Sequence, residues 1–198
     1  CRIYAYSSLA KYIPGNIFHL LGRQALSLAH QLPAGVVARS IAVEMVLLIL
    51  AGALLSLYAL GTVVIGIHPP QAAVATVALF CVVTGALYFR GPAGVGKSFA
   101  AFALFHLVAG ALFLAVIVAL EASLLTAKWS ALIVSGYVLS WMVGMVTPGA
   151  PAGLGVREAT LLWLLAGAGV DEGVVLVAAL LSRVSTTLNG RPRARRKR

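Results

Sequence analysis

The chain has 198 residues, of which 61% are hydrophobic and only 10% charged, with a formal net charge of +10 and a mean hydropathy of +1.00. A soluble domain carries about 25% charged residues, so this composition excludes an ordinary water-soluble enzyme and points to a membrane protein. Its two cysteines, Cys1 and Cys81, are terminal and within an apolar run, which predicts neither a disulfide framework nor a metal site.

The sequence opens on Cys1-Arg2-Ile3-Tyr4, without a methionine, and reads as a fragment whose first helices, and any signal peptide, precede it. Lys11-Tyr12-Ile13-Pro14-Gly15 then breaks the backbone, and a short apolar stretch runs on to Gly22-Arg23. Two readings stay open: a re-entrant hairpin or the start of an interfacial helix. Four apolar runs follow, Ile41 to Gly66, Gln71 to Phe89, Phe99 to Leu120 and Trp129 to Thr147. Each is close to the roughly 20 residues that cross a bilayer. A second cluster, Thr147-Pro148-Gly149-Ala150-Pro151-Ala152-Gly153-Leu154-Gly155-Val156-Arg157-Glu158, precedes two shorter runs, Glu158 to Val170 and Gly173 to Leu188. Runs shorter than a bilayer read as half-helices or re-entrant segments. The predicted fold is all-α, a polytopic transmembrane helical bundle with two re-entrant or broken-helix motifs arranged as an inverted repeat. Residues 1–190 form the membrane domain and 191–198 a basic tail.

Every second connection is basic. Arg23, Arg39, Arg90, Lys97, Arg157, Arg183 and the six cations of the tail account for twelve of the 15 Lys and Arg, against Lys128 alone on the other side. Positively charged loops stay in the cytoplasm, so the basic end and the C-terminus are expected to face the cytoplasm. The tail Arg191-Pro192-Arg193-Ala194-Arg195-Arg196-Lys197-Arg198 directly follows an apolar run, which reads as a juxtamembrane anchor to anionic headgroups and not as a nucleic-acid patch.

Gly91-Pro92-Ala93-Gly94-Val95-Gly96-Lys97-Ser98 satisfies the phosphate-loop pattern G-x-x-x-x-G-K-[ST]. Its context argues against a nucleotide site. A phosphate loop follows a buried strand, whereas this one joins two runs of membrane length, and it is expected to be a cytoplasmic turn. No cofactor is indicated.

Helix breakers beside charge at membrane depth usually line a cavity, because unpaired backbone groups are tolerated only where protein or water satisfies them. The candidate substrate-binding residues are therefore Arg23, Arg157, Glu158 and Arg183, with Pro14, Gly15, Gly22, Pro151, Gly153 and Gly155 shaping the backbone. Arginine presents a planar fork of donors matched to phosphate oxygens. Glu158 is expected either to hold Arg157 in place or to meet a cationic headgroup. Glu44 and His106 lie inside long runs, where polar residues normally face the protein interior, and are further candidates for the site; the alternatives are that Glu44 pairs with Arg39 and that His106 is a satisfied core histidine. Gly136, Ser140 and Gly144, four apart, read as helix packing. His19 and His30 have no partners at ligand spacing. The five acids are too scattered to name a catalytic base and nucleophile.

Lys11-Tyr12-Ile13-Pro14-Gly15 with Gly22-Arg23, then Pro151-Ala152-Gly153-Leu154-Gly155-Val156-Arg157-Glu158-Ala159, then Leu180-Leu181-Ser182-Arg183 resemble the lysylphosphatidylglycerol synthase transmembrane region family, also described as flippase-like. The likeness runs over residues 4 to 188. It implies an integral inner-membrane helical bundle that binds membrane lipids and translocates an anionic one, an aminoacylated phospholipid or an isoprenoid-phosphate-linked glycan. Other members accompany glycosyltransferases in envelope biosynthesis, so a non-transporting scaffold for such enzymes is the alternative. The family's soluble aminoacyl-transferase module has no counterpart here, and its last helix typically runs on where this chain turns to Asn189-Gly190-Arg191-Pro192. That ending reads as a truncation.

Overall fold

A computed structural model describes residues 33–147 and 153–189, and every regular element among them is helical. Helix α1 spans Ala34–Ala59 and continues through a π-helical turn, Leu60–Val64. Helices α2 (Pro69–Phe89), α3 (Val95–Leu120) and α4 (Ala127–Val146) follow, with a single 3₁₀ turn at Ala122–Leu124. A short α5, Val156–Leu161, runs into a second π-helical turn at Leu162–Ala166, and α6 covers Glu172–Asn189. The expected spans thus match the first four helices to within a few residues at most ends. Pro14, Gly15, Gly22, Arg23 and Pro151 lie outside the described residues, and with them the first broken-helix motif.

The helix ends follow local chemistry. Pro69 and Pro70 occupy the first turn of α2, where a missing N–H costs nothing. The hydroxyl of Thr126 accepts a 3.4 Å hydrogen bond from the Trp129 amide and caps α4. Gly94, at φ +92°, sits immediately before α3, a conformation that side chains other than glycine's seldom adopt. The phosphate-loop-like segment is therefore a turn between two apolar helices. Its Gly96 has a packing reason too, since a Cβ there would stand 2.8 Å from the Tyr88 Cα.

Helices α1, α3 and α4 pack mutually at the centre; α2 lies against α1 and α3, α5 against α4, and α6 against α3 and α5. The four long helices are each long and apolar enough to cross a membrane, and only 6% of the α2 span is buried against 44% of α4. Val74, Val77, Val82 and Phe89 on α2 and Leu104, Val108 and Leu112 on α3 point outward. Water would penalise such an apolar exterior, whereas hydrocarbon is its natural solvent. The chain is a helical membrane protein.

Its interior is in two parts. One apolar cluster gathers Tyr58, Phe113, Ile117, Ile133, Leu164, Leu165 and Val175 from α1, α3, α4, the π-helical turn after α5, and α6. The other joins Leu47, Ala51 and Leu54 of α1 to Phe99 and Ala103 of α3. The two ends of the bundle also differ: Arg39 of α1 and Ala93 to Val95 of the α2–α3 turn line one cavity. At the other end Ile67, Pro69, Lys128 and Gly167 line another.

Candidate functional site

Helix α5 runs antiparallel to α4, with Leu164 against Gly136 and Arg157 against Gly144. The absence of a side chain at Gly144 is what admits the arginine: a Cβ there would lie 2.6 Å from the Arg157 Cγ and 2.9 Å from its Nε. Gly153 closes the other side. At φ +68° it brings its backbone against Gly144, and a Cβ would meet the Gly144 Cα and carbonyl oxygen and the Arg157 Nε at 3.0 Å each. Arg157 is thus held in a slot between two glycines, with its guanidinium over the Trp141 ring at 5.4 Å. Its Nε is buried and has no hydrogen-bond partner among the described residues.

Arg183 meets the opposite situation. It reaches from α6 to Glu158, its Nε against Oε1 and its Nη2 donating to Oε2 at 3.2 Å, and the same Nη2 donates to the Gly153 carbonyl at 2.9 Å. This fork-to-fork geometry is the strong form of an ion pair. With the two side chains 25% and 15% exposed, the pair is shielded enough to matter. It ties α6 to the start of α5. The expectation that Glu158 would hold Arg157 is corrected accordingly, because adjacent residues on a helix do not face each other and the Glu158 carboxylate turns to Arg183. Tyr137 of α4 lies within electrostatic reach of both arginines.

Of the residues picked out in the sequence, Gly153, Arg157, Glu158 and Arg183 are brought together from two elements and the turn before them. Gly155 takes φ +79° and starts α5, with open space around it. Glu44 is not part of this cluster; it lines the cavity at the basic end with Arg39, Ser40 and Ser98. His106 is buried on α3, and the expectation of a satisfied histidine holds for one ring nitrogen only. Its Nδ1 lies 2.7 Å from the Phe102 carbonyl oxygen, but Nε2 has no hydrogen-bond partner among the described residues.

The residues that sequence reading missed are Trp141 and the second role of Gly144. Gly136, Ser140 and Gly144 do pack as their spacing suggested, with Ser140 buried and Gly136 against Leu164. Gly144, however, packs on the arginine itself. Trp141 precedes Gly144 by three positions and so shares its face, a pattern that would have placed an aromatic platform beside the glycine slot. On a different face of α4 from Trp141 and Gly144, Met142, Val143, Val146 and Thr147 line an apolar groove of about 480 Å³. No cluster of metal-ligating side chains occurs among the described residues.

Compared with family models, curated proteins and solved structures, the chain matches none.

Proposed function

We propose that this membrane protein binds the phosphate of an anionic lipid at Arg157 and moves the headgroup across the bilayer. The observation that carries the reading is the Arg157 slot. A guanidinium sunk between Gly144 and Gly153, stacked on Trp141 and left with an unpaired N–H, is costly in a membrane-length bundle unless an anion completes it. Arginine suits phosphate better than lysine does, since its planar fork matches the oxygen geometry. Arg183, engaged by Glu158, holds the turn in shape.

The apolar groove along Met142, Val143, Val146 and Thr147 opens on the same turns of α4 and is lined as an acyl chain requires. The broken backbone between α4 and α5 also fits the likeness to flippase-like proteins, and the proposal extends to the re-entrant arrangement and the inward-facing basic end which that likeness implies. Aminoacylated phosphatidylglycerol and isoprenoid-phosphate-linked glycans both carry the required phosphodiester or diphosphate. A scaffold for membrane glycosyltransferases would need the bundle but not the slot.

The test is reconstitution of the protein in liposomes with fluorescent phosphatidylglycerol in one leaflet. Leaflet exchange is expected to exceed that of empty liposomes, and Arg157→Ala to slow it by about tenfold, the loss of one charge-assisted hydrogen-bonded contact. Exchange no faster than in empty liposomes sinks the transport reading; an unchanged rate in Arg157→Ala sinks the site.

A further inference from the structure

His106 stands near the middle of α3, 2% exposed, and its hydrogen bonding assigns its tautomer. The Phe102 carbonyl 2.7 Å from Nδ1 can only accept, so Nδ1 carries the hydrogen and Nε2 presents a bare lone pair. That lone pair is buried without a donor among the described residues. The imidazole meets the Trp141 ring at 5.3 Å and 89°, and the same indole carries the Arg157 guanidinium at 5.4 Å. An unsatisfied acceptor and an unsatisfied N–H donor thus both belong to side chains packed on one tryptophan.

We propose that His106 Nε2 is a proton-binding site, coupled through Trp141 to the anion site at Arg157, so that an anion at Arg157 promotes proton uptake at His106. The coupling rests on the functional reading above; the proton site stands on His106 itself. A proton from water adds to the Nε2 lone pair and yields an imidazolium with two N–H groups and one added positive charge. With the slot empty, that charge is repelled by Arg157 through a low-dielectric interior. An anion on Arg157 removes the repulsion, and by linkage the proton must favour the anion equally.

Arg157 is the cation that shares the Trp141 ring with His106. Helix α1 presents Gly52, where a Cβ would stand 3.0 Å from Nε2, and Ser56 a turn further on, while its Glu44 and Arg39 lie more than two turns before Gly52, at the cavity with Ser98. Helix α2 contains no acid or base besides Cys81 and Tyr88, and Lys97 lies more than two turns away on α3 itself. Helix α4 offers Trp141 and Met142, with Tyr137 one turn along. On α5, the Glu158 carboxylate is engaged by Arg183 of α6, and Glu172 begins α6 at the opposite end of the bundle.

The experiment uses the full chain in phosphatidylcholine nanodiscs, with Trp129→Phe and Trp163→Phe leaving Trp141 as the sole indole. An imidazolium in contact with an indole quenches it, so emission is expected to fall about twofold as the pH is lowered through and below the ordinary histidine range. The transition should vanish in His106→Gln and in His106→Asn, with helicity unchanged by circular dichroism. No transition, or the same one in a folded variant, overturns the proton site. At a fixed pH within the transition, nanodiscs containing phosphatidylglycerol should deepen the quench, and Arg157→Ala should abolish that effect. Inorganic phosphate acting equally well keeps the coupling and makes the cargo a free anion. An unmoved quench while phosphatidylglycerol demonstrably binds overturns the coupling. Absence of lipid binding defeats the functional reading instead, and the His106-dependent quench still decides the proton site.

Discussion

Arg157 and Arg183 carry the same charge in the same half of the bundle, yet their surroundings give them different work. Arg183 has a carboxylate and a carbonyl, so its charge is compensated within the protein. Arg157 has an indole and two glycines, and an Nε without a hydrogen-bond partner among the described residues; the proposed lipid phosphate would compensate it. The distinction is testable by a double-mutant cycle. Glu158→Gln and Arg183→Gln should each destabilise the protein by about 1–3 kcal/mol, because each strands a shielded charge. The double variant should lose less than the two together, with a coupling of at least about 1 kcal/mol, read from unfolding midpoints in detergent. Additive losses would mean that the ion pair holds nothing in place.

At the scale of elements, glycine decides where helices meet. Gly96 lies at the crossing of α3 with the end of α2, and the atoms in the way of a Cβ are the Tyr88 backbone at 2.8 and 3.1 Å, which cannot rotate aside as a long side chain could. Gly96→Ala is therefore expected to separate α2 from α3 and cost about 1–3 kcal/mol by overpacking. Gly85→Ala, on the same helix hairpin with nothing within 4 Å, should be neutral or stabilising by up to about 1 kcal/mol, since alanine is the better helix former. Equal thermal shifts in the two variants would contradict this account. The Gly96 result also bears on the nucleotide-like motif: a glycine that a phosphate loop would use for ligand access is here consumed by helix packing.

For the whole molecule, the distribution of charge predicts its orientation. Arg39 and the Ala93 to Val95 turn share one end, and Lys128 stands at the other, so the alternation read from the loops survives folding into a bundle. With Cys1 and Cys81 replaced by serine, Ser123→Cys should react with a membrane-impermeant thiol reagent on intact cells, whereas Ala93→Cys should react only after lysis. The reverse pattern would overturn the expectation that the basic end faces the cytoplasm.

The sequence by itself determined that this is a bundle of membrane-length helices, because hydrocarbon demands long uninterrupted apolar runs and leaves them visible without any tertiary information. It also pointed to Gly153, Arg157, Glu158 and Arg183, since charge and helix breakers stand out against an apolar background. Which arginine is compensated, that Trp141 carries the other, that Gly144 opens the slot, and that His106 keeps one nitrogen unsatisfied were decided by the tertiary structure alone. Those facts depend on which faces of α3, α4, α5 and α6 meet, and helices that are apolar on every side carry no periodic stripe to foretell it.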